Sequence, residues 1–187
     1  MRLGNSKKNS ITLHDKTFVP YIKNDELEKA IDKVADRLND KHSDDEQPVI
    51  LLCVLNGAIM FTSELMKRLK FPLELMSVKL SSYEGTHCTG SIRVDLDITR
   101  NIAGRKVIIC EDIVDTGNTI RFLHDHLLNA GAAEVEICTM LLKPDVYDQK
   151  DLSVDYAAME IPPRFIVGFG LDYDQIGRNL KDIYVLE

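Results

Sequence analysis

The chain has 187 residues, a net charge of −7 at pH 7, 44% hydrophobic residues and 28% charged residues. This length suits a sizeable core, and we expect residues 1–187 to form a single domain. The negative charge argues against non-specific binding to nucleic acid or membranes. No apolar run approaches the roughly 20 residues that span a bilayer, and the polar N-terminus lacks the pattern of a secretory signal. We therefore expect a cytoplasmic protein.

The first clear elements are a helix and a strand. Residues 24–41 predict an amphipathic helix, because apolar residues recur at helical spacing from Leu27 onwards. Asn24 or Asp25 is the expected N-cap of this helix. Residues 49–55 form a wholly apolar run, which predicts a strand buried on both faces.

A small-residue turn with Asn56 and Gly57 follows that strand and precedes a second predicted helix. Read alone, this pair is an ordinary turn. Beside an anion site it is also a candidate second anion cradle, because glycine lets a backbone N–H approach a phosphate. Residues 73–80 predict a third strand, and the long loop after it contains Ser82 and Tyr83. Such a loop is either a lid over a site or an ordinary hairpin tip.

The most informative stretch is residues 106–119, which read KVIICEDIVDTGNT. Its apolar start predicts a buried strand, and Glu111 and Asp112 are expected to form an acidic turn where that strand ends. The loop that follows consists of Asp115, Thr116, Gly117, Asn118 and Thr119. Apolar spacing then predicts a helix over 117–130.

This order of strand, loop and helix suits a phosphorylated sugar. Ligands of open parallel sheets bind at the carboxyl ends of the strands, and the free N–H groups of a helix start bind anions. Gly117 permits close approach to a phosphate, and Thr116 and Thr119 can donate hydroxyl hydrogen bonds. Glu111 and Asp112 suit a sugar diol, directly or through Mg²⁺. The stretch suggests a ribose 5-phosphate site, although each piece alone also fits a strand, a turn and an N-cap without a ligand.

Residues 107–119 match every position of the phosphoribosyl-diphosphate (PRPP) binding motif of type I phosphoribosyltransferases: four apolar residues, Glu-Asp, two apolar residues, Asp-Thr-Gly-x-Thr. Residues 161–173, together with Arg178, resemble the purine-binding hood of hypoxanthine-guanine phosphoribosyltransferases. Gly168 and Gly170 form a G-x-G pair, but no third glycine or helix follows at the spacing of a dinucleotide fingerprint, so we reject that interpretation.

The resemblance implies an α/β fold of the type I phosphoribosyltransferase (Rossmann-like) kind, with about five mostly parallel strands flanked by helices. We expect the core over about 24–143 and a small hood from about 1–23 and 144–187. The implied function is purine salvage, in which hypoxanthine or guanine reacts with PRPP to give IMP or GMP and pyrophosphate, assisted by Mg²⁺. The implied partners are PRPP, 6-oxopurine bases and further copies of the chain, as a homodimer or homotetramer, without nucleic acid or membrane.

The resemblance also implies roles for individual residues. Asp115 is the expected general base or acid near purine N7, and the loop residues Ser82 and Tyr83 are expected to close over the site. Glu111 and Asp112 are expected at the ribose hydroxyls and the magnesium shell, and 115–119 at the 5′-phosphate. The expected pyrophosphate contacts are Asn56, Gly57 and Arg178, and the expected purine contacts are Lys143, Phe165, Ile166 and Asp172, of which Asp172 also holds a second magnesium ion. Relatives often carry Lys or Arg where this chain has Asn56, so this position offers no direct ion pair to pyrophosphate.

Two other functions stay open at this point. One is a 6-oxopurine phosphoribosyltransferase that prefers xanthine, because Lys143 serves any 6-oxopurine. The other is a non-catalytic regulator that senses PRPP, against which Asp115, the long loop and the lack of a basic face all argue. Adenine is disfavoured as a substrate, because a lysine donor opposes an amino group.

Overall fold

A computed structural model of the chain describes residues 9–82, 92–96, 100–147 and 152–187. In chain order the elements are β1 (Ile11–Leu13), β2 (Lys16–Ile22), α1 (Asn24–His42), β3 (Val49–Leu55), α2 (Ile59–Met66), β4 (Leu73–Ser82), β5 (Ile92–Leu96), β6 (Lys106–Val114), α3 (Asn118–Asn129), β7 (Glu134–Leu142), β8 (Tyr156–Glu160), β9 (Ile166–Val167) and β10 (Ile183–Leu186). They form a main sheet in the order β5-β4-β3-β6-β7-β8 and a smaller sheet in the order β1-β2-β10-β9. No helix in these ranges is long and apolar enough to cross a membrane.

The main sheet is parallel from β4 to β8, and β5 pairs antiparallel with β4 at one edge. The predicted α/β fold with a mostly parallel sheet is confirmed. The sequence pattern does not predict β8, because YAAME is a short and only partly apolar segment. β8 lies within the range 144–187 that was expected to contribute to the hood, yet it extends the main sheet by pairing with β7.

Side chains of the central strands alternate between two apolar layers. Leu51 of β3 and Ile108 of β6 are buried in the layer formed with α1 and α2. Their chain neighbours Ile50 and Ile109 are buried in the opposite layer, against α3. A strand directs successive side chains to opposite faces, so a wholly apolar strand needs cover on both. Because both faces of the sheet are covered, a ligand has access only at the ends of the strands, and in open parallel sheets it binds at their carboxyl ends.

The smaller sheet joins the two ends of the chain into the hood, with β10 pairing antiparallel with both β2 and β9. Asp182, immediately before β10, accepts hydrogen bonds of 2.9 Å from the backbone N–H of Asn24 and from Lys23 Nζ. The N-cap residue of α1 is Lys23. The predicted cap at Asn24 or Asp25 is therefore wrong, because the carboxylate at this helix start comes from the hood.

Strand β6 continues past its apolar run to Val114. Its pairing with β7 includes Glu111, which lies opposite Thr139. Glu111 and Asp112 are therefore strand residues, and the predicted acidic turn is wrong, because the β7 ladder continues through these polar positions. The sheet thus fixes the backbone of both carboxylates.

An ionic cluster lies near the amino ends of the main-sheet strands, opposite their carboxyl ends. The fully buried His42 places Nδ1 2.7 Å from Asp45 Oδ2 and Nε2 2.8 Å from Glu136 Oε2. Lys41 Nζ lies 2.7 Å from Glu136 Oε1, to which the Tyr156 hydroxyl donates at 3.0 Å. Burial lowers the pKa of His42, but Glu136 and Asp45 outweigh this effect and raise the pKa above 6.5. Burial raises the pKa of Glu136, but His42 and Lys41 lower it to about 2.

The stabilisation from His42 is expected to depend on pH. Because its pKa is raised on folding, its contribution is complete below its ordinary value of 6.5 and is lost as pH rises through the folded value. We expect His42→Gln to lower the free energy of unfolding by about 3 kcal/mol near pH 5.5, as for breaking a buried ion pair. The difference from the unsubstituted protein should shrink as pH rises above 6.5 and through the raised pKa of folded His42. Urea unfolding at several pH values measures it, with His124→Gln on α3 as control; a difference that stays constant or grows with pH would contradict the assignment.

Candidate active site

The carboxyl ends of β3 and β6 border a cavity of about 320 Å³. Its lining includes the whole loop 115–119, both carboxylate residues Glu111 and Asp112, and Gly57 from the turn after β3. The carboxyl ends of neighbouring parallel strands meet at one edge of a sheet. The topology therefore brings the two anion cradles that the sequence predicts into one site.

The loop 115–119 has the geometry of an anion cradle at the start of α3. Gly117 is the N-cap residue, with a φ of 78° that glycine adopts without steric cost. Thr116 and Thr119 line the cavity beside it. The helix that follows has 12 residues, so its first N–H groups present the positive end of a substantial dipole.

Glu111 and Asp112 place two neighbouring carboxylates in the lining of the cavity. Burial, followed by the charge of Asp112, raises the pKa of Glu111 well above its ordinary value. Burial also raises the pKa of Asp112, although Arg178 is among the groups that oppose this shift. Asp112 Oδ1 accepts a 2.8 Å hydrogen bond from the backbone N–H of Ile113. Within the part of the chain that the structure describes, Glu111 Oε2 is buried and accepts no hydrogen bond.

This donor set fits a magnesium ion. Mg²⁺ prefers carboxylate oxygens and is commonly held by one or two of them together with substrate phosphates and water. Glu111 Oε2 is an oxygen that lacks a partner, and Asp112 supplies a second carboxylate next to it. Among the described residues, no group of three or more His, Cys, Asp or Glu side chains converges as a complete metal cage. Such a site needs oxygens from the substrate to complete it.

The turn after β3 packs directly against the carboxylates. A Cβ atom on Gly57 would lie 1.5 Å from Asp112 Oδ2, so only glycine fits there. Gly170 of the hood approaches from the other side, since a Cβ on it would lie 2.0 Å from the carbonyl oxygen of Gly57. Asn56 is exposed and follows a cis peptide bond from Leu55. The turn expected to bind pyrophosphate is therefore held between Asp112 and the hood.

Lys143 and Asp115 form an ion pair at the rim of the cavity. Lys143 Nζ lies 2.6 Å from Asp115 Oδ2, which joins a buried ammonium to a carboxylate that is 47% exposed. The backbone extends the contact, because the N–H of Lys143 donates to the carbonyl oxygen of Val114 at 3.0 Å. The side chains expected at purine O6 and N7 are thus in direct contact.

The hood residues expected at the purine lie in and beside strand β9 and in the segment that follows it. Phe165 is 46% exposed and its ring centroid is 5.7 Å from that of Tyr173, at an interplanar angle of 90°. Ile166 is buried in β9, which is an edge strand of the hood sheet. Arg178 Nη2 lies 2.6 Å from Asp172 Oδ1. The residues expected at pyrophosphate and at the second magnesium ion thus pair with each other.

The two residues expected in the catalytic loop are Ser82 and Tyr83. Ser82 ends β4. Tyr83 and the rest of the expected lid, as far as residue 91, lie outside the described residues. Their roles stay predictions.

Sequence patterns miss two residues that contact the loop 115–119. Tyr147 packs its ring against Gly117, and Arg121 donates to the carbonyl oxygen of Thr116 at 2.8 Å. Neither belongs to a motif. An aromatic residue shortly after Lys143 and an arginine on a helix are ordinary on their own, and only the tertiary contacts connect them with the site.

Comparison with known proteins agrees with this geometry. Residues 21–174 match the phosphoribosyl transferase domain family. A hypoxanthine-guanine-xanthine phosphoribosyltransferase of Tritrichomonas foetus is 36% identical over 163 residues, which cover 87% of this chain and 88% of that protein. A hypoxanthine-guanine phosphoribosyltransferase of Streptococcus pneumoniae is 38% identical over 167 residues, which cover 89% of this chain and 91% of that protein.

Solved structures of similar proteins share the fold. A hypoxanthine phosphoribosyltransferase of Trypanosoma cruzi superposes with a TM-score of 0.84 at 31% identity, covering 95% of both chains. One of Staphylococcus aureus superposes with a TM-score of 0.83 at 30% identity, covering 90% of this chain and 91% of that one. The PRPP motif, the parallel sheet and these matches agree, and the chain belongs to the phosphoribosyltransferase family, as a transferase of the type I fold.

Proposed function

We propose that the chain catalyses purine salvage, converting hypoxanthine and guanine with PRPP into IMP and GMP with release of pyrophosphate. The names of its relatives support this choice of bases, since those of Streptococcus thermophilus, Streptococcus pneumoniae and Streptococcus pyogenes are hypoxanthine-guanine phosphoribosyltransferases. The complete PRPP motif supports the choice of phosphoribosyl donor.

The observation that carries the proposal is the 2.6 Å contact between Lys143 Nζ and Asp115 Oδ2. A 6-oxopurine presents O6 and N7 along a single edge, whereas adenine presents an amino group in place of O6. Lysine has donors only, so Lys143 suits O6, and Asp115 beside it suits a proton exchange at N7. A donor and an acid-base group in contact therefore match that edge.

The reaction breaks the bond between C1′ of the ribose and a pyrophosphate oxygen, which keeps the electron pair. A purine nitrogen forms the new bond to C1′, and Asp115 accepts the proton that the base releases. The loop 115–119 holds the 5′-phosphate, while Gly57 and Arg178 face the departing pyrophosphate. Donors aimed at the charge that develops on a leaving group usually supply a large share of catalysis. Stacking on Phe165, together with the Ile166 backbone, orients the base.

We propose Mg²⁺ as the cofactor, held by Glu111 and Asp112, with Asp172 at a second ion. When bound, the ion supplies positive charge that neutralises pyrophosphate oxygens. The partnerless Glu111 Oε2 supports this proposal, because a buried carboxylate oxygen without a partner is costly. The chain's own carboxylates also accept hydrogen bonds from the ribose hydroxyls and so orient C1′.

We also propose that the protein acts as a homodimer or homotetramer. Ile59 of α2 and Leu75 of β4 are 47% and 54% exposed and border one largely apolar groove. Clustered apolar side chains of this kind are common where subunits meet. The groove also includes Leu55, so a partner there would lie close to the pyrophosphate turn.

Xanthine preference is the second candidate function, because the Tritrichomonas foetus relative includes xanthine in its name. Lys143 recognises the O6 that hypoxanthine, guanine and xanthine share. The base preference therefore depends on contacts at purine position 2, which the side chains considered above do not define.

An ultraviolet assay with PRPP and Mg²⁺, offering each base separately, tests the proposed substrates. We expect rapid nucleotide formation from hypoxanthine and guanine and none from adenine, because the Lys143 donor opposes the adenine amino group. Faster turnover of xanthine than of either base would instead establish the second candidate. Turnover of adenine at a comparable rate would contradict the role of Lys143.

Asp115→Asn tests the acid-base role. The asparagine oxygen can still accept from Lys143, so the purine contact is kept while proton transfer is lost. We expect kcat to fall about 10²-fold or more, as for removal of a general acid or base, with the KM for PRPP little changed. Asp125→Asn, at an exposed position of α3, is the matched control. An unchanged kcat would remove Asp115 from this role.

Glu111→Gln tests the magnesium site without relying on activity. Replacing a buried, unpaired carboxylate by a neutral amide should raise the melting temperature in the absence of Mg²⁺. The same change should abolish the rise in melting temperature that Mg²⁺ and PRPP together produce in the unsubstituted protein. Glu160→Gln, at an exposed carboxylate, serves as control. A full Mg²⁺-dependent shift in Glu111→Gln would show that the ion binds elsewhere.

A further inference from the structure

The ring of Tyr147 forms the outer wall of the phosphate loop. A Cβ atom on Gly117 would lie 2.0 Å from Tyr147 Cε2 and 2.4 Å from Cδ2, so the ring rests directly on the glycine. Tyr147 is 3% exposed and belongs to the apolar layer that also contains Val114 and Ile120. Gly117 lines the cavity and Tyr147 does not, so the ring contacts the loop from outside the cavity lining.

Arg121 holds the same loop from the first turn of α3. Its Nη1 donates to the carbonyl oxygen of Thr116 at 2.8 Å, and its guanidinium carbon lies 4.9 Å from the centroid of the Tyr147 ring. The backbone N–H of Arg121 also donates to the carbonyl oxygen of Gly117 at 3.0 Å. Two adjacent carbonyl groups of the loop are thereby tied to Arg121, and Arg121 is stacked on Tyr147.

Tyr147 is itself fixed by the turn that begins at Lys143. The backbone N–H groups of Val146 and Tyr147 both donate to the carbonyl oxygen of Lys143 at 3.1 Å. The Tyr147 hydroxyl donates to the carbonyl oxygen of Leu152. A single short turn therefore connects the lysine expected at the purine with the ring that supports the phosphate loop.

We propose that Tyr147 and Arg121 are positioning residues for the 5′-phosphate, which they hold in place through the backbone of Thr116 and Gly117 without touching it. This inference rests on the proposed function, because it concerns the phosphate of PRPP and of the product nucleotide. Neither side chain is among those that line the cavity.

The physical reason is the flexibility of the loop. Glycine has the widest backbone freedom of any residue, so a loop built around Gly117 is ordered only if its surroundings restrict it. N–H groups that already point at the ligand bind it more tightly than groups that must be ordered on binding. Removing the ring leaves the helix and the motif intact but frees the loop.

The experiment compares four variants. Tyr147→Leu removes the ring, and Tyr147→Phe keeps it while removing the hydroxyl. Arg121→Gln removes the stacked cation, and Lys29→Gln, at a side chain 75% exposed on α1, removes the same charge far from the site. Calorimetry measures the affinity of each for GMP and for guanosine, which lacks the phosphate. Steady-state kinetics give KM for PRPP and for guanine.

We expect the ratio of GMP affinity to guanosine affinity to fall about tenfold in Tyr147→Leu and in Arg121→Gln. A change of this size corresponds to the cost of ordering the loop when the phosphate binds. The ratio should stay within about twofold of the original in Tyr147→Phe and Lys29→Gln. KM for PRPP should rise in parallel, while KM for guanine stays unchanged. A residue that only stabilises the core would lower both affinities together and leave their ratio constant.

Two outcomes would overturn the inference. One is an unchanged affinity ratio in Arg121→Gln, which decides the matter even if Tyr147→Leu does not fold. The other is a fall in Tyr147→Phe as large as in Tyr147→Leu, which would assign the effect to the hydroxyl bond with Leu152. If the unsubstituted protein binds GMP no more tightly than guanosine, the proposed function itself fails.

Discussion

The approach of Gly57 to Asp112 is the constraint on which the rest of the site depends. The two residues belong to different segments, and the parallel pairing of β3 with β6 brings those segments side by side. A Cβ at position 57 would lie 1.5 Å from the carboxylate, so the turn has no room for any other residue. The hood then closes the arrangement, because Gly170 rests on the Gly57 carbonyl. The turn after β3, the acidic pair and the hood thus pack together as one unit.

Buried glutamates lie at both ends of the main-sheet strands, and their surroundings shift their pKa values in opposite directions. At the amino ends of the strands, Glu136 forms ion pairs with His42 and Lys41, which lower its pKa to about 2. At the carboxyl ends of the strands, burial and then the charge of Asp112 raise the pKa of Glu111 well above its ordinary value. The charged form of a buried glutamate is thus stabilised at the amino ends of the strands and destabilised at their carboxyl ends, and a perturbed carboxyl group in a cavity is the pattern expected of a functional site.

Local sequence patterns were enough to predict most of the helices and strands. The features that they missed depend on contacts between residues far apart in sequence. The PRPP motif of 107–119 located the loop and the helix after it, because glycine, threonine and the acidic pair have specific chemical uses there. Asp182, which accepts the hydrogen bond from the start of α1, lies far from α1 in sequence. Helix-start patterns consider only nearby residues, so they predicted Asn24 or Asp25 as the cap. Likewise the ring of Tyr147 is connected with Gly117 only by packing. The position of Phe165 beside Tyr173 is visible only once the hood is folded.

The Lys143–Asp115 pair explains how one contact can serve both stability and selectivity. An ammonium has three N–H donors and no acceptor, and the 2.6 Å contact with Asp115 Oδ2 uses one of them. An O6 acceptor can therefore join Lys143 without breaking the pair, and the base meets Asp115 already in place. An amino group at the same position sets donor against donor and leaves the nearly buried ammonium without a new partner. Opposed donors at a buried position are costly, so the burial of Lys143 supports the proposed discrimination against adenine.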